Sequence, residues 1–146
     1  MGVRDMKKKN RTRVSLLVYE YPEDFAKLTE FLQIKPTFVH EPKSGSTEFR
    51  RWELRSGVAE SEAFEKHLDA LLEKLAPSAT QLRELSKKYR CLISVGLDYY
   101  EFNPEIDLTH EALQALADLG VSLWLDIYNL FDAEGPEGQA EYHMHK

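Results

Sequence analysis

Between residues 14 and 130 the apolar residues switch repeatedly between the two-residue period of a strand and the 3.6-residue period of a helix. That alternation leaves few architectures open to the chain. Residues 14–20 are apolar and β-branched enough for a strand, and Pro22 with Glu23 and Asp24 then reads as a helix start. Proline fits the first helical turn, and acids there complement the helix dipole. Phe25, Leu28, Phe31 and Leu32 supply the buried stripe of this helix. Pro36, Pro42 and Gly45 mark a loop, and residues 48–55 alternate as a second strand, whose Arg50, Arg51 and Arg55 suit a sheet edge. Ser61 is placed to cap a helix to about Leu75, and Pro77 ends it. The run Ser78-Ala-Thr-Gln81 reads as a capping box for a further helix to about Tyr89. Residues 91–99 are the most strand-like of the chain. A helix capped by Thr109 and ended by Gly120 follows, then a last strand over 122–130.

The resulting order is βαβ-αα-βαβ. Two such halves joined by short crossovers predict a ferredoxin-like α+β sandwich. Its four-stranded, mainly antiparallel sheet would have the first and third strands at its centre and helices on one face only. Residues 1–13 read as a flexible basic N-terminal arm, 14–131 as one domain, and 132–146 as a loosely ordered acidic tail.

Charge is distributed unevenly. Residues 91–145 hold eleven acidic side chains and no Lys or Arg, whereas the first thirteen hold six of the nineteen basic ones. Without that arm, 13 basic side chains face 24 acidic ones, and the formal charge moves from −6 to −11. An anionic body favours a cationic protein partner over nucleic acid. The arm itself reads as a solubilising terminus that touches the acidic body. No apolar run approaches the length of a membrane helix or resembles a signal peptide, so the cytoplasm is the expected compartment. Cys91 is the single cysteine. It opens an apolar run, which predicts a buried, inert thiol and leaves no intrachain disulfide to form.

Four segments in order and spacing resemble a known family: Phe31-Leu32-Gln33-Ile34-Lys35-Pro36-Thr37, Trp52-Glu53-Leu54, Leu71 to Pro77, and Leu119-Gly120-Val121-Ser122 leading to Asp126-Ile127-Tyr128. Together they are similar to the bacterial domain of unknown function 4279, over about residues 14–130. Gln33 departs from the pattern, because a glycine like Gly120 would be expected there. The resemblance implies a bacterial, intracellular protein, some of whose relatives look like components of contact-competition or toxin–immunity loci. It carries over no catalytic residue.

A search for chemistry finds little. His143 and His145 flank Met144 in the tail without a third fixed ligand. His67 lies among helical apolar residues, where a partly exposed structural role is expected, and His40 sits in a proline-bounded loop. No nucleophile elbow and no phosphate-binding glycine loop is present. No cofactor is expected, nor catalysis.

The candidate surface comes from strand alternation. Asp98 shares a face with Ser94 and Gly96, and Asp126 shares one with Trp124 and Tyr128. If these coincide with Tyr19 on an open sheet face, they form a shallow aromatic and acidic surface. Separately, Glu101, Glu105, Asp107 and Glu111 of the acidic run, in the loop and helix start, are candidates for meeting a cationic partner, and Tyr100 stands with them as a candidate. The expectation is a protein-binding domain, most sharply an immunity-type protein that neutralises a basic toxin or nuclease. A small-ligand site or enzyme on the same face, or a structural homodimer, are the alternatives.

Overall fold

The computed structural model describes residues 9–130. In chain order it comprises β1 (Arg11–Tyr19), α1 (Phe25–Leu32), β2 (Phe38–His40), β3 (Arg51–Arg55), α2 (Phe64–Leu75), a 3-10 turn (Ala76–Ser78), α3 (Ala79–Ser86), β4 (Cys91–Tyr99), α4 (His110–Leu119) and β5 (Ser122–Asn129). The fold is α+β. The strands form one sheet in the order β2-β3-β1-β4-β5, antiparallel throughout except for the parallel pair β4–β5.

Five strands stand where four were expected, and the extra one explains the topology. The loop between Pro36 and Pro42 contains β2, whose three residues are too few for alternation to show. The chain reverses between β2 and β3, so β3 returns antiparallel to both β2 and β1 and lies between them. β2 is therefore parallel to β1 with β3 between them, so β1–α1–β2 is a split parallel crossover, and the strand expected over 48–55 is its antiparallel neighbour rather than its parallel end. β4–α4–β5 is a second parallel crossover, here between adjacent strands. β3 is interior rather than an edge, since β2 covers its outer side. The expected central pair, β1 and β4, does occupy the middle.

The strand register puts Val14, Leu16 and Val18 of β1, Trp52 and Leu54 of β3, and Cys91, Ile93, Val95 and Leu97 of β4 on one face. There they pack with Phe25, Leu28 and Leu32 of α1, Leu68 and Leu71 of α2, Leu82 of α3 and Leu116 of α4 in a single buried core. Helices thus cover this face, as the apolar stripes require. Burial pushes the Cys91 thiol up to about 12, so it stays protonated and inert.

Helix ends follow the sequence in part. Asp24 accepts from the Ala26 N–H and Thr109 from the Ala112 N–H, and both act as N-caps. Ser61 does not cap α2, which begins after Ala63 without a side-chain cap. Ser78 makes no capping box either: its hydroxyl donates to the Leu32 carbonyl and ties the α2–α3 pair to the end of α1. Gln33 adopts the left-handed conformation (φ 58°, ψ 34°) that Gly120 adopts at the end of α4 (φ 74°). For a residue with a Cβ that conformation costs roughly 1–2 kcal/mol. Glycine adds roughly 0.5–1 kcal/mol of unfolded-chain entropy in exchange. Gln33→Gly is therefore expected to stabilise the fold by up to about 1 kcal/mol, read as a rise in urea midpoint at constant slope.

Candidate functional site

The second sheet face carries no helix. On it β1 presents Arg11, Arg13, Ser15, Leu17 and Tyr19; β3 presents Arg51, Glu53 and Arg55; β4 presents Leu92, Ser94, Gly96 and Asp98; and β5 presents Trp124, Asp126 and Tyr128. Tyr19, Asp98, Trp124, Asp126 and Tyr128 thus coincide on the open face, as their spacing suggested. Trp124 and Tyr128 are 50% and 48% exposed.

The face is not acidic, however. With Arg90, which lies against it, five arginines meet three carboxylates (Glu53, Asp98 and Asp126). Asp98 accepts from Arg13 through both oxygens, at 3.0 and 3.2 Å, and from Arg11 at 3.0 Å. Gly96 makes room for this clamp, because a Cβ there would stand 3.0 Å from Arg13 Nη2. Hydrogen bonding to Arg13, then the charges of Arg13 and Arg11, hold the Asp98 carboxyl below its ordinary range despite burial. Glu53 lies between Arg55 at 2.7 Å and Arg51 at 3.6 Å, and Ser15 Oγ donates to it at 3.4 Å. Asp126 accepts from the Tyr128 hydroxyl at 2.9 Å, which raises the phenol above its ordinary value.

Arg11 and Arg13 belong to β1 and not to a flexible arm, and they do touch an acidic part of the body. Residues 1–8 and the tail from 131, with His143 and His145, lie outside the described residues. Across residues 9–130 the balance is 15 basic against 20 acidic side chains, a net −5, since this span includes Lys9, Arg11 and Arg13 and leaves out the acidic tail. The remaining candidates divide. Tyr100 bonds Arg11 at the end of the face, and the Glu101 N–H donates to Asn10 beside it. Glu105, Asp107 and Glu111 belong to the helix side, where the Asp107 N–H donates to Glu65 just inside α2. They make an acidic end to the molecule and are not part of the open face.

Two features have no sequence signal. Arg90 lies 5.7 Å from the Tyr19 ring centroid and 5.1 Å from that of Trp124, and so clamps the aromatic pair across β4. Elsewhere on the face a cleft of about 540 Å³ opens over Arg13, Ser15, Arg55, Ser56, Asp126 and Tyr128. His67 backs this cleft and is buried rather than partly exposed. Its Nδ1 is hydrogen-bonded to Ser56 Oγ at 2.7 Å, which ties the end of β3 to α2. Burial lowers the affinity of its ring for a proton, and Nε2 has no hydrogen-bond partner among the described residues. His40 is used locally, 2.8 Å from Glu48. Among the described residues no three His, Cys, Asp or Glu side chains could hold a metal ion, and no helix is long and apolar enough to cross a membrane.

The family model for the domain of unknown function DUF4279 matches residues 10–130. The chain belongs to this family. The match takes in every strand, the arginine clamp on Asp98 and the open face, so these features all lie within the DUF4279 domain. Comparisons with curated proteins and with solved structures returned no match.

Proposed function

We propose that this DUF4279 domain is a non-catalytic protein-binding module that docks its partner on the open sheet face. One observation carries the reading: two large, half-exposed aromatic side chains, Trp124 packed by Arg90 and Tyr128 bonded to Asp126, stand on a helix-free face beside paired arginines and carboxylates. Rigid aromatic and arginine side chains are the groups that dominate protein interfaces. The carboxylates of the face are ion-paired or hydrogen-bonded, which suits recognition better than proton transfer. The net charge of residues 9–130 and the carboxylates Glu105, Asp107 and Glu111 favour long-range approach of a basic protein, of which a toxin or nuclease is the sharpest case, while the arginines of the face call for carboxylates on the part of it that docks. Location in the cytoplasm of a bacterium fits this reading.

The test is quantitative capture from a lysate of the source organism, with wild-type protein and Trp124→Ala/Tyr128→Ala compared at low and high salt. A specific basic partner should lose at least about 30-fold in affinity for the double variant, the ratio of a 2 kcal/mol hot spot. The melting temperature should stay nearly unchanged. Equal retention of the same proteins by both would end this reading. A small polar ligand is the second reading, because the cleft falls within the roughly 300–1,000 Å³ range of ligand sites. Metabolite retention abolished by Arg55→Ala, with protein capture intact, would favour it.

A further inference from the structure

The outer edge of β5 is the one long stretch of sheet in the described residues that offers backbone groups together with apolar side chains on both faces. β5 closes the sheet order, so its far side pairs with no described strand. On the helix side Leu125 and Ile127 are 42% and 52% exposed, although they share a face with the core, and on the open side Trp124 and Tyr128 are equally bare. Natural edge strands are shielded by lysine, proline or bulges. β5 has none of these over eight residues, and its single charge is Asp126.

We infer that β5 pairs antiparallel with β5 of a second copy across a two-fold axis at Leu125, which makes one continuous ten-stranded sheet.

The register follows from the backbone and the charges. The Leu130 N–H donates to the Tyr99 carbonyl, so the even-numbered residues of β5 direct their peptide groups to β4, and Leu123, Leu125 and Ile127 direct theirs outward. A two-fold axis normal to the sheet keeps each face on its own side. Opposed residues therefore have the same parity. An axis at Asp126 would set two carboxylates against each other. An axis at Leu125 engages almost the whole strand, sets Leu123 opposite Ile127 of the partner, and lets Leu125 exchange both peptide hydrogen bonds with its own copy. Asp126 then stands opposite Trp124 of the partner, against whose ring Arg90 packs at 5.1 Å. Each interface thus gains two cross-pairings of Asp126 with Arg90. The exposed parts of Trp124, Leu125, Ile127 and Tyr128 in two copies amount to on the order of 1,000 Å², where specific interfaces begin. A second copy meets all these conditions by symmetry, whereas another chain would have to match each separately. The tail from 131 is a poor alternative occupant, with two glycines, a proline and several acids and no β-branched residue.

Sedimentation velocity on the full chain over a dilution series tests this. Wild-type protein should be a dimer at about 100 μM, since a Kd below ~10 μM would show there, and dissociate on dilution. Leu125→Lys should be monomeric with an unchanged circular dichroism melt. Leu125→Cys should oxidise to a covalent dimer, because a hydrogen-bonded antiparallel pair lies within disulfide reach; buried Cys91 serves as the silent control. A wild-type monomer at that concentration overturns the inference, as does a folded Leu125→Lys dimer. If Leu125→Lys does not fold, the cross-link decides: absence of the disulfide in a dimeric protein places the interface elsewhere. Trp124 and Tyr128 belong to both readings, so the test rests on Leu125, whose variants leave those two side chains in place and read the edge separately from the face.

Discussion

Trp52→Ala is expected to cost about 4 kcal/mol and to lower the melting temperature by roughly 10–15 °C. Trp52 lies on β3 between Val18 and Val39, fully buried on the helix side. Its indole N–H donates to Thr29 Oγ1 of α1 at 3.0 Å. Truncation removes the largest side chain of the core, leaves a cavity that α1 cannot fill without losing its own contacts, and takes away the partner of Thr29. Trp52→Phe should restore all but about 1–2 kcal/mol, which separates ring packing from the hydrogen bond. Trp124→Ala supplies the contrast. The same residue type on the open face should cost well under 1 kcal/mol, and equal losses at the two tryptophans would contradict the assignment of faces.

Asp98→Ala should cost about 2–3 kcal/mol at pH 7, through loss of charge-assisted bonds to Arg13 and Arg11. The arginines are about half exposed and can turn to water, which keeps the loss below that of a fully buried pair. The pH dependence identifies the cause. The folded carboxyl titrates below its unfolded value, so its contribution is complete above about pH 4 and is lost as pH falls toward the lower folded value. Urea midpoints of wild type and Asp98→Asn, followed from pH 7 to pH 2, are expected to converge at the acid end. A constant difference would mean that Asp98 acts through shape alone.

Much of this architecture can be read from local pattern. The two-residue alternation in 91–99 and 122–130 correctly put Asp98 beside Ser94 and Gly96, and Asp126 beside Trp124 and Tyr128, and the family resemblance held over nearly the whole domain. Gln33 was legible as a strained terminator because Gly120 shows what the position requires. What escaped was non-local. Arg11 and Arg13 looked like part of a charged terminus because Asp98 is more than eighty positions away, and only the pairing of β1 with β4 brings them together. That one pairing converts an expected acidic face into an amphoteric one. β2 escaped because three residues between prolines carry no period, and without it β3 looked like the strand that ends the first crossover. Ser78 matched a capping pattern, but the Leu32 carbonyl competed successfully for its hydroxyl.

The central place of β1 has a consequence for synthesis on the ribosome. Of the five described strands it is made first and finds β3 after some forty residues, yet its other side stays bare until β4 has been made. Throughout that interval the nascent chain exposes an apolar strand with one unpaired edge, a state prone to association with other chains. Contacts this distant in sequence also slow closure of the sheet. Arg11 and Arg13 add charge beside that strand while Asp98 is still unmade, and share its single carboxylate when the sheet closes. The same two side chains thus act first as a deterrent to misassembly and afterwards as a latch on the finished sheet.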